Sequence, residues 1–121
     1  DYFSDTKEKP QNFDLILTGD LGMVGKTLLL ELLEKEGLQI SRQHNDCGLM
    51  IFDINSQDVH AGGSGCGCSG SVFCSYVLQK MKNSELKRVL FIATGALMSP
   101  TSAQQGESIP GVAHLIELES E

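Results

Sequence analysis

Three short apolar runs, separated by segments with helical patterns, constrain the fold of this chain more than any other feature of its sequence. The runs are Phe13–Thr18, Leu49–Ile54 and Arg88–Thr94. Nearly continuous apolar runs of this length are typical of strands that are buried on both faces of a sheet. Because strand and helix patterns follow one another in turn, the order predicts an α/β fold with right-handed crossover connections.

The helical pattern is clear in two segments. Lys26–Glu36 places leucines three and four residues apart among charged neighbours, as in an amphipathic helix, and Gly37 is well placed to end it. A second helix is predicted over Cys68–Lys82, where small residues would let another helix approach closely. Val112–Leu118 alternates and predicts an edge or antiparallel strand, and the long connection Gly95–Gly111 before it is typical of a functional loop.

Length and composition limit the classes of function. The 121 residues suffice for one domain with a modest core, and the formal net charge of −7 argues against a nucleic-acid partner. No apolar stretch of the sequence is long enough to span a bilayer. The four cysteines crowd into one region, which indicates a reducing compartment rather than a disulfide framework. Residues 1–12 are polar and are predicted to be a leader or the end of a missing helix.

The predicted elements carry more apolar surface than two helices can cover. Buried parallel strands need a layer of helices on each face of the sheet. The sequence therefore predicts either that this chain is part of something larger or that it forms a dimer through the small-residue helix.

The stretch Asp58–Ser71, DVHAGGSGCGCSGS, is the strongest candidate for a site. Such a segment lets the backbone come very close to a ligand, to another backbone or to a helix. It leads directly into the apolar run Val72–Met81, so a helix is predicted to begin there, and the open N–H groups of a helix N-terminus can hold an anion.

A phosphate loop is one alternative. Asp20–Thr27 approaches the pattern GxxxxGK[ST] and Gly25-Lys26-Thr27 fits its end, but Asp20 stands where the first glycine is required. Leu49–Asp53 then fits a Walker B strand that ends in an aspartate. The competing interpretation is a tight turn between a strand and a helix.

The histidine and cysteines of the glycine-rich stretch, with a cysteine in the helix predicted after it, allow two further alternatives. There are four possible metal ligands, His60, Cys66, Cys68 and Cys74. One zinc ion could not easily bind all four at this spacing. Cys66 or Cys68 at a helix N-terminus is also a possible nucleophile, with His60 as its base. The competing interpretation is that the thiols are small buried side chains. His44 and His114 are predicted to have no role in a site.

Five segments, taken together and in order, resemble the C-terminal part of the stage V sporulation protein AD family. They read TGDLGMVG, NDCGLMIFD, QDVHAGGSGCGCS, RVLFIATGALMSPTS and QQGESIPGVAH, and the resemblance runs from about Phe13 to Leu118. It implies a thiolase-like fold, in which two related α/β halves stack into five α-β-α-β-α layers around paired central helices. Residues 13–121 are then an incomplete thiolase-like fold, the C-terminal half-domain of a longer protein.

The resemblance implies a binding protein and not an enzyme. Thiolase-like enzymes carry a histidine on one turn and an asparagine or histidine on a second. Here the first turn is Thr18-Gly19-Asp20 and the second is Gly65-Cys66-Gly67. The nucleophilic cysteine of such enzymes belongs to the N-terminal half, which is missing. The family's ligand is dipicolinic acid, pyridine-2,6-dicarboxylate, free or as its calcium chelate, so calcium is expected only with the ligand and no other cofactor is expected.

Two carboxylates on a flat ring need N–H donors, a hydroxyl, and a cation or imidazole. The predicted ligand-binding residues are Thr18, Asp20, His60, Gly63, Ser64, Gly65 and Cys66. The resemblance also implies other proteins of the stage V sporulation A operon as partners, the missing N-terminal half, and a place in the cytoplasm or forespore, peripheral to the spore inner membrane. An acyl-transfer enzyme, a nucleotide-binding protein and a purely structural half stay open as alternatives.

Overall fold

The computed structural model describes residues 1–96, 100–108 and 111–120. A four-stranded sheet with helices on both faces forms the fold, together with a 3-10 turn at Pro10–Asn12 and a π-helical turn at Phe73–Val77. In chain order the remaining elements are α1 (Tyr2–Thr6), β1 (Leu15–Thr18), α2 (Gly22–Lys35), β2 (His44–Asp46), α3 (Cys47–Met50), α4 (Cys68–Val72), α5 (Leu78–Lys82), β3 (Arg88–Ile92), α6 (Pro100–Gln104) and β4 (Leu115–Glu119).

The strand order places one end of each parallel strand at a common edge of the sheet. The order is β2-β1-β3-β4, in which β1 is parallel to both β2 and β3, and β4 is antiparallel to β3. Thr18, the last residue of β1, pairs with Asp46 on one side and with Ile92 on the other. The carboxyl ends of three strands therefore meet at one level, where open α/β sheets bind ligands.

Alternating residues of the strands build two separate cores. Leu15, Leu17 and Val89 face the continuous helical segment from α4 to α5, which contributes Val72 and Val77. Ile16 and Leu90, on the opposite face, pack against α2 and the chain around Phe13. Burying an aliphatic side chain of this size stabilises a fold by about 1.5–3 kcal/mol relative to leaving it exposed. The two cores together hold the sheet between its helices.

Most of the predicted elements are confirmed. Strands lie within Phe13–Thr18 and Arg88–Thr94, helical structure runs through the whole of Cys68–Lys82, and β4 is antiparallel, overlapping the predicted strand near the C-terminus. Gly37 has a φ of 78° and ends α2, with its N–H donating to the carbonyl oxygen of Glu34 at 2.9 Å. Part of the connection before β4, residues 97–99 and 109–110, lies outside the described residues.

The predicted strand Leu49–Ile54 is wrong. The second strand is the shorter and more polar segment β2, and Leu49 lies in α3. Polar residues are expected in a buried strand only when hydrogen bonds satisfy them, and the side chain of Asp46 meets that condition through donors on β1 and α2. An apolar pattern cannot reveal such donors, because they come from other parts of the chain.

The N-terminal segment is tied to the sheet by a group of polar contacts. The Tyr2 hydroxyl donates to the carboxylate of Glu117 at 2.6 Å. Arg88 pairs with the same carboxylate and with Glu8, and its guanidinium lies 4.7 Å from the centre of the Phe13 ring. These contacts attach residues before β1 to β3 and β4.

An apolar stripe runs along the outer face of α2. Val24, Leu28 and Leu32 follow one another at intervals of four residues, and each is more than half exposed. The described part of the chain therefore leaves an apolar helix face uncovered, in line with the excess of apolar surface expected from the sequence. Among the described residues, no helix is both long and apolar enough to cross a membrane.

Gly48 is expected to be required for stability because two backbones meet there. A Cβ at this position would lie 2.4 Å from the carbonyl oxygen of Gly63 and 2.9 Å from a carboxylate oxygen of Asp46. We expect Gly48→Ala to lower the free energy of unfolding by about 2 kcal/mol in urea denaturation. Gly70→Ala is the matched control, because a Cβ there meets nothing within 4 Å and alanine favours a helix. Equal stability of Gly48→Ala and the parent would contradict this packing.

Candidate functional site

A fully buried carboxylate organises the edge of the sheet where the parallel strands end. Asp46 accepts hydrogen bonds from the Thr18 hydroxyl at 2.6 Å and from the backbone N–H groups of Leu21 and Gly22, both at 2.9 Å. Leu21 and Gly22 begin α2, so a side chain from β2 caps that helix. The N-terminus of α2 therefore already holds an anion that belongs to the chain.

A buried histidine extends this hydrogen-bonded group. Nε2 of His44 lies 3.0 Å from the hydroxyl oxygen of Thr18. Because that hydroxyl donates to Asp46, we infer that His44 donates from Nε2, which leaves Nδ1 as an acceptor. Nδ1 is buried without a partner among the described residues. Burial and the nearby charge of Lys26 lower the pKa of His44 to about 4, against the opposing effect of Asp46.

A second, more exposed carboxylate joins three segments at the same edge. One oxygen of Asp20 accepts hydrogen bonds from the Ser64 hydroxyl at 2.9 Å and from the Gly65 N–H at 3.1 Å. Its other oxygen accepts from the Thr94 hydroxyl at 2.5 Å, and the backbone N–H of Asp20 donates back to the Thr94 oxygen at 3.1 Å. The hydrogen bond from Thr94, followed by those from Gly65 and Ser64, holds the pKa of Asp20 below its usual value. We call these four residues the Asp20 cluster.

The glycine-rich stretch comes close to the chain's own backbone. The N–H of Gly63 donates to the carbonyl oxygen of Gly48 at 2.6 Å, and the carbonyl oxygen of Ala61 accepts from the N–H of Met23 at 2.7 Å. A Cβ on Gly22, whose φ is 67°, would lie 2.7 Å from that Ala61 oxygen. The sequence allowed this stretch to come close to a ligand, to another backbone or to a helix. The structure shows the contact with another backbone.

A small apolar cavity adjoins the Asp20 cluster. Its volume is about 150 Å³, and Thr94 lines it as well as belonging to the cluster. Thr18, Leu21, Leu29 and Ile92 form other parts of its wall. Hydrogen-bond donors and an apolar hollow thus meet at the carboxyl ends of β1 and β3.

The structure brings some of the predicted site residues together and separates others. Asp20, Ser64 and Gly65 form one cluster, and Thr18 lines the adjoining cavity while its hydroxyl is used by Asp46. The N–H of Gly63 is engaged with α3. The side chain of His60 is 91% exposed, with Nδ1 3.6 Å from the carboxylate of Asp58, and Cys66 is exposed.

Sequence reasoning missed Thr94 and Asp46, and it gave no role to His44. A signal for both residues was available, because Asp46 ends β2, Thr94 follows the end of β3 by two residues, and the carboxyl ends of parallel strands meet at one edge. The incorrect position of the second strand hid Asp46. The ligand-binding roles of the seven residues chosen from the sequence stay predictions.

The phosphate-loop interpretation does not fit the local structure. α2 begins at Gly22, so Gly25-Lys26-Thr27 lies inside a helix and not at the end of a loop. Asp53 does not end a strand, because the structure forms no strand over Leu49–Ile54. A phosphate loop needs free backbone N–H groups before the lysine.

The thiols differ in burial, which bears on the metal and nucleophile alternatives. Burial, followed by the charge of Asp46, raises the pKa of Cys47 to about 12. Burial also raises the pKa of Cys68, with Asp20 and Asp46 adding to the effect, so both groups are held as thiols and not as nucleophilic thiolates. Across residues 1–96, 100–108 and 111–120, no three histidine, cysteine or acidic side chains are placed to share a metal ion.

The fold and this site define an α/β protein with hydrogen-bond donors and an apolar cavity at the carboxyl ends of its parallel strands. The family model described as stage V sporulation protein AD (SpoVAD) matches residues 1–119. The chain is 43% identical over 118 residues to stage V sporulation protein AD of Bacillus subtilis (strain 168), and the match covers 98% of this chain and 35% of that relative. The chain belongs to the stage V sporulation protein AD family.

Replacing the buried carboxylate is expected to destabilise the protein. In Asp46→Asn, an amide group that carries its own N–H hydrogens would face the Thr18 hydroxyl and two N–H groups. We expect the free energy of unfolding to fall by about 3 kcal/mol, because buried donors lose a charged acceptor. Asp58→Asn is the control, since its side chain is 92% exposed. Urea unfolding curves that coincide for Asp46→Asn and the parent would refute the capping role.

The lowered pKa of His44 predicts a dependence of stability on pH. Because the folded pKa is about 4 and the ordinary value 6.5, the unfolded chain binds the proton more readily. Stability is therefore complete above pH 6.5 and is lost as the pH falls towards 4, by up to about 3 kcal/mol. Urea unfolding between pH 7 and pH 5 should show this slope in the parent and in His114→Gln. The same slope in His44→Gln would disprove the assignment.

Proposed function

We propose that this chain is part of a non-enzymatic sporulation protein that binds pyridine-2,6-dicarboxylate, free or as its calcium chelate, for uptake into the developing spore. Membership of a family named for stage V of sporulation supports the sporulation role. The observation that carries the ligand class is the meeting of hydrogen-bond donors and an apolar cavity at Thr94. The chain spans 35% of the length of its Bacillus subtilis relative, so the complete site is proposed to include further residues.

The hydrogen-bond donors and the apolar cavity suit an aromatic dicarboxylate. A flat ring needs apolar walls, and its carboxylates need N–H and O–H donors. The cavity supplies Leu21, Leu29 and Ile92 for the ring. Ser64 and Thr94 supply hydroxyl groups at exposed positions, and His60 is the predicted imidazole.

Two further N–H groups of the glycine-rich stretch are available near the cluster. The amides of Cys66 and Gly67 have no hydrogen-bond partner in the part of the chain that the structure describes. They directly follow Gly65, whose N–H already binds a carboxylate oxygen. Successive N–H groups of this kind form a favourable environment for an anion.

Binding accounts for these residues better than catalysis does. The turn Thr18-Gly19-Asp20 lacks the histidine of thiolase-like enzymes, and the raised pKa values of Cys47 and Cys68 disfavour their thiolates. An acyl-transfer enzyme would need one of the exposed thiols, Cys66 or Cys74, as its nucleophile. Turnover of an acyl-coenzyme A, with acylation of either thiol, would favour that alternative.

The proposal extends to partners and location. A second thiolase-like half, or a second copy of the chain, is proposed to cover apolar surface such as the α2 stripe of Val24, Leu28 and Leu32. Other proteins of the stage V sporulation A operon are the proposed membrane partners, with this protein peripheral to the spore inner membrane. No nucleic-acid partner is proposed, since the net charge is −7.

Removal of single donors tests the proposed site. In titration calorimetry with the complete protein, Ser64→Ala and Thr94→Val should each weaken dipicolinate binding about fivefold to tenfold, since each removes one hydrogen bond to a carboxylate. Ser41→Ala is the matched control, because Ser41 precedes β2 and so lies at the opposite end of the strands. Undiminished affinity in Ser64→Ala and in His60→Ala would remove both residues from the pocket.

A further inference from the structure

The donors that suit a carboxylate ligand already bind a carboxylate of the protein. Asp20 takes the Ser64 hydroxyl and the Gly65 N–H with one oxygen and the Thr94 hydroxyl with the other. Ser64, Gly65 and Thr94 are exposed, and Asp20 is partly exposed. The arrangement is that of an anion held by three donors within reach of solvent.

We propose that Asp20 is an internal competitor for the ligand: its carboxylate occupies the donors of the Asp20 cluster and must leave them before a carboxylate ligand can bind. This inference rests on the proposed function, because it assigns the same donors to dipicolinate. Asp20 then lowers the affinity for the ligand and is not itself a ligand-binding group.

The charges at this edge of the sheet favour replacement of Asp20 by the ligand over binding of both carboxylates to the same donors. Two carboxylates that compete for the same three donors repel one another, and Asp46 places a second negative charge close by. A Cβ built on Gly48 would lie 3.4 Å from the Cα of Asp20 and 2.9 Å from an oxygen of Asp46. A third carboxylate added to this region is therefore unfavourable until Asp20 moves away.

The surroundings of the two carboxylates favour release of Asp20 over release of Asp46. Asp46 is fully buried, and two of its three donors are N–H groups at the start of a helix. Two of the three donors of Asp20 are side-chain hydroxyls at exposed positions, which water can satisfy when the carboxylate leaves.

A charge series at position 20 tests the inference. In titration calorimetry of the complete protein with calcium-free dipicolinate, Asp20→Ala should bind about tenfold more tightly than the parent, because the competitor is gone. Asp20→Asn should lie between them, since its amide oxygen still accepts hydrogen bonds without a charge. Glu36→Ala, which removes one exposed charge just beyond the end of α2, should bind like the parent. Equal or weaker binding by Asp20→Ala would overturn the inference.

A second measurement separates this inference from the proposed function. Hydrogen exchange followed by mass spectrometry on the complete protein reports the amides of residues 62–68, with inorganic phosphate as the probe. Phosphate should slow exchange in Asp20→Ala and leave the parent unchanged. If no variant binds dipicolinate but this difference appears, the proposed function fails and the role of Asp20 stands. The same response to phosphate in both proteins would overturn the role of Asp20.

Discussion

The buried carboxylate of Asp46 is the interaction on which the rest of this structure depends. An uncompensated charge in a protein interior is strongly unfavourable, so Asp46 can be buried only where donors converge on it. Thr18 brings one donor from β1, and the first turn of α2 brings two. Strand β2 and the beginning of α2 follow from this one requirement, whereas burial keeps His44 neutral against the effect of Asp46.

The same edge of the sheet carries two carboxylates with different exposure. Asp46 is enclosed and joins β2 to β1 and α2, whereas Asp20 is reached by solvent and joins β1, the glycine-rich stretch and the end of β3. A hydrogen-bonded carboxylate thus stabilises the fold at Asp46, and at Asp20 it occupies a set of exchangeable donors. The apolar cavity beside Thr94 makes the exposed set the better candidate for binding a ligand from solution.

Glycines in the stretch between α3 and α4, and in α2 and α3 beside it, allow the backbones to pack closely. Gly48 and Gly63 are in direct contact, and Gly22 lies against Ala61. Side chains at these positions would push the stretch away from α2 and α3, and the Ser64 hydroxyl and the Gly65 N–H would no longer reach Asp20. The close contacts that these glycines allow therefore hold the Ser64 and Gly65 donors in a fixed position.

The sequence by itself determined the α/β class, the two helical segments Lys26–Glu36 and Cys68–Lys82, the strands β1, β3 and β4, and the helix end at Gly37. It could do so because periodicity and glycine preferences are local properties of the chain. Only the tertiary structure decided the position of β2, the roles of Asp46 and Thr94, and which amide groups were already bonded. Thr94 and Asp20 are 74 residues apart, and only the register of β1 against β3 places them together.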